Sequence, residues 1–176
     1  MAMWVFGYGS LLWNPGFEVA ESVIATLPGY ARSFCMRSIH HRGSVEDPGL
    51  VLALDEDVAT ACEGVALRVA DGAEDVTLAY LRERELISSA YLEKTHVVHL
   101  RDNRDVEALV YVIDPHHVQY CGGLPLEEQA QIIARAVGDR GPNAEYLLNT
   151  ARHIQELDLH DPALEWLHDR VKTLMS

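Results

Sequence analysis

The sequence has no uninterrupted apolar run approaching the ~20 residues that a membrane-spanning helix needs. It also lacks a basic segment at its N-terminus and passes straight into a strand-like pattern, so no secretory leader is expected. Positive charge is scarce: 14 Lys and Arg stand against 27 Asp and Glu, a formal net charge of −13. That balance argues against nucleic acid as a partner, which asks for a basic face that displaces counterions, and it disfavours anionic membrane surfaces. Cysteine is limited to Cys35, Cys62 and Cys121, an odd count with no Cys-x-x-Cys pair. This favours a reducing, cytoplasmic setting with unpaired thiols. The nine histidines include the pairs His40-His41 and His116-His117, but no His-Glu-x-x-His spacing occurs. Adjacent residues on a strand point to opposite faces, so such pairs do not chelate one ion, and no metal is expected. Internal repeats, low-complexity tracts and linkers are absent as well. With 176 residues, 48% apolar and 23% charged, the chain reads as one domain, 1–176, with a real hydrophobic core.

What is present begins at Trp4-Val5-Phe6, a short strand that breaks into Gly7-Tyr8-Gly9-Ser10 before Leu11-Leu12-Trp13. Paired glycines leaving a strand mark a sharp turn or a close approach to the backbone. Such a turn can present successive N–H groups in an arc suited to an anion or a developing oxyanion; a tight turn capped by Ser10 is the plainer reading. It is not a Walker loop, because no Gly-Lys-Ser/Thr follows, nor a dinucleotide fingerprint, because the third glycine and the opening helix are missing.

Further on, Ser22–Leu27 and Ala31–Met36 read as short strands around Pro28-Gly29, and 43–49 as a loop. Leu50–Leu54 and Gly64–Ala70 read as buried strands joined by a solvated Asp55-Glu56-Asp57. Ala73–Leu86 is rich in helix formers, with Glu74 and Asp75 suiting its N-terminal dipole. Thr95–Leu100 and Glu107–Ile113 flank the polar tip 102–105 as a hairpin. Helices are expected over Leu126–Val137, Ala144–Glu156 and Ala163–Leu174, punctuated by Gly141-Pro142 and Asp161-Pro162. The expected fold class is α+β, a barrel-like mixed or antiparallel sheet with helices gathered towards the C-terminal end.

At ~100° per residue, Val76, Ala79, Tyr80 and Glu83 fall on one arc of the first helix, and Leu78, Leu81 and Glu85 on another. Either glutamate has apolar neighbours and can sit in a low-dielectric pocket with a raised pKa. An ordinary salt-bridged surface, Arg82-Glu83-Arg84-Glu85, is the competing reading. Periodicity does not choose between them.

Phe6-Gly7-Tyr8-Gly9-Ser10-Leu11-Leu12-Trp13 resembles the opening motif of the ChaC family of γ-glutamylcyclotransferases. His41-Arg42-Gly43, Tyr80-Leu81-x-x-Arg84-Glu85, Tyr120 ahead of Pro125-Leu126-Glu127, and Asn143-x-Glu145-Tyr146-Leu147 follow in the family's order. The resemblance implies a γ-glutamylcyclotransferase-like fold and a cofactor-free ring closure of glutathione to 5-oxoproline and cysteinylglycine. The family's catalytic glutamate directly follows an arginine shortly beyond a Tyr-Leu pair, a role that maps onto Glu85. The sequence departs from many relatives just afterwards, where Leu86-Ile87-Ser88-Ser89-Ala90 replaces a glycine pair before Tyr91.

The resemblance makes Gly7, Tyr8, Gly9, Ser10 and Leu11 the candidate substrate-binding arc. Tyr111 and Tyr120, near a strand end and a turn, are candidate hydrogen-bonding phenols, with packing the alternative; Tyr146 reads as packing. Arg42, with Arg37, is a candidate partner for the glycine-end carboxylate. Glutathione is itself an anion, so attraction must come from local donors and not from the whole-molecule field. Two other readings stay open: the same ring closure on other γ-glutamyl amines, and a non-catalytic module that binds a small anion. A Cys-His hydrolase has no supporting signature.

Overall fold

The computed structural model describes residues 2–86 and 89–176. Strand β1 (Trp4–Gly7) is followed by a single 3₁₀ turn, Ser10–Leu12, and then by two long strands, β2 (Val19–Ser38) and β3 (Gly49–Val69). Helix α1 (Glu74–Glu85) precedes the hairpin β4 (Tyr91–Leu100) and β5 (Asp105–Ile113). The strands close into a barrel in the order β1-β3-β2-β4-β5. β1 runs antiparallel to β3 (Phe6 opposite Ala66) and parallel to β5 (Val5 opposite Leu109), so the sheet is mixed. The fold is α+β, as the alternation of strand and helix patterns implies.

Two compact units divide the chain: residues 1–32 with 54–117, and residues 33–53 with 118–176. In the first unit, period-2 alternation fills the barrel. Ala108, Val110 and Val112 from β5 meet Val98 and Leu100 from β4, Trp4 and Phe6 from β1, and Leu27 and Tyr30 from β2. Burying one such Val or Leu side chain contributes ~1.5–3 kcal/mol, so this cluster is the main stabilising term of the unit.

Two expectations need correction here. Ser22–Leu27 and Ala31–Met36 are not separate strands, because β2 passes through Pro28-Gly29, with Gly29 at φ +83° absorbing the irregularity. Asp55-Glu56-Asp57 is likewise not a connection but part of β3, its strand pairing indifferent to side-chain polarity. The hairpin is longer than expected at its first strand, starting at Tyr91 opposite Ile113.

The second unit carries three helices: α2 (Leu126–Arg135), α3 (Asn143–Glu156) and α4 (Pro162–Met175). Ala144, Leu147 and Ile154 on α3, and Leu164, Leu167 and Val171 on α4, are buried at helical spacing. Asp161 caps α4 by accepting from the Leu164 N–H at 3.0 Å, and Pro162 takes the first helical position. The two-residue strands β6 (Val137–Gly138) and β7 (Gly141–Pro142) turn α2 into α3. Asn143 is fully buried and takes both backbone groups of Leu50, accepting from its N–H and donating to its carbonyl at 2.8 Å each. No helix is long and apolar enough to cross a membrane, among the described residues.

Candidate active site

The glycine-rich bend leaves β1 because Gly7 has room for the turn behind it: a Cβ there would sit 3.1 Å from the Leu11 Cβ. Beyond it the chain winds into one 3₁₀ turn. The Leu12 N–H donates to the Gly9 carbonyl at 2.8 Å, and the Asn14 N–H to the Ser10 carbonyl at 2.8 Å. These bonds begin at Leu12, so the turn itself does not use the N–H groups of Gly9, Ser10 and Leu11 that precede it. Among the described residues other than its chain neighbours, a Cβ on Gly9 would meet no atom within 4 Å, although Gly9 is buried from bulk solvent. Among the described residues the bend is therefore open on the Gly9 side and packed on the Gly7 side.

Two arginines fix it. Arg32, buried on β2, donates from Nε to the Tyr8 carbonyl at 2.7 Å and from Nη2 to the Glu63 carbonyl. Arg84, on the last turn of α1, donates from Nη2 to Ser10 Oγ at 2.7 Å. Its Nη1 reaches the carbonyls of Asn14 at 2.8 Å and Pro15 at 3.2 Å, and the Tyr80 hydroxyl at 3.0 Å. Tyr80 itself lies over the chain at Gly16, where a Cβ would fall 2.0 Å from the phenol oxygen and φ is +76°, a place only glycine fits. Helix α1 is thus bolted to the bend by a charged fork and an aromatic ring.

The two glutamates that periodicity leaves equivalent part company here. Glu83 is exposed. The Glu85 side chain is only 17% exposed, and its Oε1 stands 3.6 Å from Arg84 Nε, the same guanidinium that holds Ser10. Burial raises the Glu85 carboxyl above the ordinary carboxylate value, and the Arg84 charge only partly offsets it. Ile87 and Ser88, in the 86–90 stretch expected to depart from the family's pattern, lie outside the described residues.

Tyr111 is buried on β5, opposite Glu93 of β4. Its hydroxyl donates to Glu93 Oε1 at 2.8 Å, and Arg82 grips the same carboxylate through Nε at 3.1 Å and Nη2 at 3.0 Å. That grip holds Glu93 below the usual carboxylate range. The Tyr111 phenol is pushed up, first by burial, then by Glu93, and also by the negative charge of Glu85. Glu85 and Glu93 are therefore two carboxylates held apart in character, one inclined to keep a proton and one to lose it.

Arg84 links the bend to Glu85, while Tyr111 belongs to a second set with Glu93 and Arg82, near enough to feel the charge of Glu85; both sets lie within the first unit. Tyr8 is half-buried and packs against the barrel core. Arg42 and Tyr120 belong to the second unit. There Arg42 donates to the Pro142 carbonyl at 3.1 Å, pairs with Glu145 at 3.4 Å and lies over the Tyr146 ring. Tyr120 bridges to Met36. Tyr146 packs edge-on against Phe34 and accepts from the Leu52 N–H at 3.1 Å. Arg32 and Glu93 are the residues that sequence reasoning passed over. Arg84 stood in the motif as the residue before the glutamate, without its part in holding the bend; its position four residues after Tyr80, on the same helical face, is the signal for that part.

The model of the ChaC-like protein family matches residues 3–174. The chain belongs to the ChaC-like family. This ChaC-like chain is 38% identical over 174 residues to a glutathione-specific γ-glutamylcyclotransferase of Escherichia coli K12, covering 99% of the chain and 74% of that relative. It is 37% identical over 178 residues to glutathione-specific γ-glutamylcyclotransferase 1 of mouse, covering 99% and 80%. Its fold matches the crystal structure of a yeast γ-glutamyl cyclotransferase specific to glutathione with a TM-score of 0.84, over 100% of both chains at 22% identity. The γ-glutamylcyclotransferase-like barrel is therefore this ChaC-like chain's fold.

Proposed function

We propose that this ChaC-like chain degrades glutathione by γ-glutamyl cyclotransfer, with Glu85 as general acid and base and the Gly7–Leu11 bend as the anion-binding wall. The observation that carries this reading is Glu85 itself: a mostly buried carboxyl of raised proton affinity, joined through Arg84 to the bend. A pure binder of an anion gains nothing from a buried acid beside its ligand. The names of the relatives support glutathione as the substrate.

The reaction is internal to the substrate. The α-amino nitrogen attacks the γ-carbonyl carbon, a C–N bond closes the five-membered lactam, and the old amide C–N bond breaks. The α-ammonium gives up two protons in becoming the lactam N–H, and the departing cysteinylglycine nitrogen takes up two in leaving as an ammonium. Ionised Glu85 accepts a proton from the nucleophile and, once protonated, donates it to the leaving nitrogen, so the acid ends as it began. Holding the γ-glutamyl arm folded removes the entropic obstacle, which for well-oriented internal reactions is worth ~7–11 kcal/mol. The N–H groups of Gly9, Ser10 and Leu11 face the α-carboxylate or the oxyanion on the γ-carbon. Tyr8 lines the same wall, and the Tyr111 phenol, engaged by Glu93, stands off the substrate. No step calls on a metal or a redox cofactor, and the odd cysteine count with no Cys-x-x-Cys pair supports a cytoplasmic setting.

The test is incubation of the purified chain with glutathione and a chelator, with mass detection of 5-oxoproline and cysteinylglycine. Release of both is expected, abolished in Glu85→Gln and retained in Glu83→Gln. γ-Glutamyl-alanine in a parallel arm separates glutathione from γ-glutamyl amines at large. Thermal stabilisation by glutathione without product would replace the enzyme with a binding module.

A further inference from the structure

We propose that Cys35 and Cys121 form a thiol pair that closes to an internal disulfide by exchange with small disulfides, making the second unit a redox-sensitive element. The observation is one of register. Met36 and Tyr120 form an isolated antiparallel bridge. It is flanked by two backbone bonds: the Arg37 N–H to the Gln119 carbonyl at 2.8 Å, and the Cys121 N–H to the Cys35 carbonyl at 2.7 Å. One step out from the bridge, Cys35 and Cys121 therefore stand directly opposite each other. Opposed residues of an antiparallel pair that share a backbone hydrogen bond have Cα atoms ~5.5 Å apart and project their side chains to the same side, within the span that a disulfide bridges. Nothing in the γ-glutamyl chemistry uses either thiol, and this proposal does not rest on that chemistry.

The exposures assign the roles. Cys121 is half-buried and reachable; Cys35 is fully buried. Cys121, as thiolate, attacks one sulfur of a small disulfide, forming a mixed disulfide and releasing the first small thiol. Cys35, as thiolate, then attacks the Cys121 sulfur, forming the internal bond and releasing the second. Two electrons pass from the protein to the small disulfide, and the two thiol protons leave on the two released thiols. The bond ties the segment around Tyr120 to β2, and a reducing thiol in excess reverses it. Cys62, in the first unit, takes no part.

The test exposes the purified, pre-reduced chain to bis(2-hydroxyethyl) disulfide, which has no γ-glutamyl group, followed by alkylation and peptide mass mapping. The wild type and Cys62→Ser are each expected to lose two hydrogens without an adduct, and to show one bond joining the Cys35 and Cys121 peptides. Cys35→Ser should halt at the mixed disulfide on Cys121, and Cys121→Ser should leave Cys35 reduced. The closed form should melt ~4–10 °C above the reduced form, as expected of a long closed loop in a chain of this size. A wild type that halts at the mixed disulfide, bonds through Cys62 or between two chains, or keeps all three thiols overturns the proposal.

Discussion

Removing the Arg84 side chain separates two effects that the fold combines in one group. Its guanidinium holds Ser10, Asn14, Pro15 and Tyr80 through four hydrogen bonds of 2.7–3.2 Å, and its charge faces Glu85 at 3.6 Å. Taken singly, hydrogen bonds to a charged group are worth ~1.5–3 kcal/mol. One shared, one-fifth exposed fork whose acceptors can turn to water does not deliver the sum. For Arg84→Ala we expect a loss of roughly 2–3 kcal/mol, a melting point lower by about 5–10 °C. Catalysis should suffer more. A bend displaced by ~1 Å from Glu85 costs ~10²-fold in turnover, about 2.7 kcal/mol at the transition state. The pH profile carries the sharper signature. Because Arg84 lowers the Glu85 pKa that burial raises, its loss moves the acid limb of activity to higher pH. Arg84→Lys keeps a charge but cannot span the same four acceptors, so its limb should stay nearer the wild type while its turnover still falls. The assay is 5-oxoproline release between pH 5 and 9 for the three proteins. An Arg84→Ala enzyme within about threefold of wild type, or with its acid limb at lower pH, refutes this account of the arginine.

For Glu85→Gln, turnover should fall ~10³-fold or more, the upper part of what general acid–base groups contribute. A carboxyl raised above its unfolded value favours the fold below the unfolded pKa, and that contribution fades as pH rises through the folded pKa. The amide variant should therefore gain melting temperature relative to wild type as pH rises, and a constant difference would contradict the burial. Gly7→Ala must push Leu11 aside and should lose about 1–2 kcal/mol in urea denaturation. Gly9→Ala meets no atom of the described residues beyond its chain neighbours within 4 Å, so it should melt like the wild type while its KM for glutathione rises; an unchanged KM moves the substrate away from that wall. Tyr111→Phe removes its bond to Glu93 and should cost about 1 kcal/mol. Its KM should stay within about threefold, and a larger rise would put the phenol on the substrate. Asn143→Leu leaves both Leu50 backbone groups unmet in a buried place, and should destabilise by about 2–4 kcal/mol in the same denaturation.

Local pattern was a good guide where an element carried its own signature. The hairpin showed a polar tip between two alternating runs, and α4 announced itself through Asp161-Pro162. It was a poor guide where pairing ignored side chains. β3 runs through Asp55-Glu56-Asp57 because backbone groups find partners whatever the side chains are, and β2 runs through Gly29 because a glycine accommodates positive φ. In the site, the glycine bend was visible as a motif and its fastening was not. Arg84 looks like any surface arginine until the chain places Ser10 and Pro15 around it. The difference between Glu83 and Glu85 is likewise one of burial, and a helix without a strongly one-sided apolar face does not encode it.

The parallel seam between β1 and β5 imposes an order of events. Trp4 and Val5 leave the ribosome well before the neighbours that complete their ladder, Ala108 and Leu109. Synthesis delivers the glycine bend ahead of β5, and its supporting strand is locked only when that later partner arrives. A nascent chain stalled before residue 105 would carry the motif in full and still lack the strand that closes the ladder beside it.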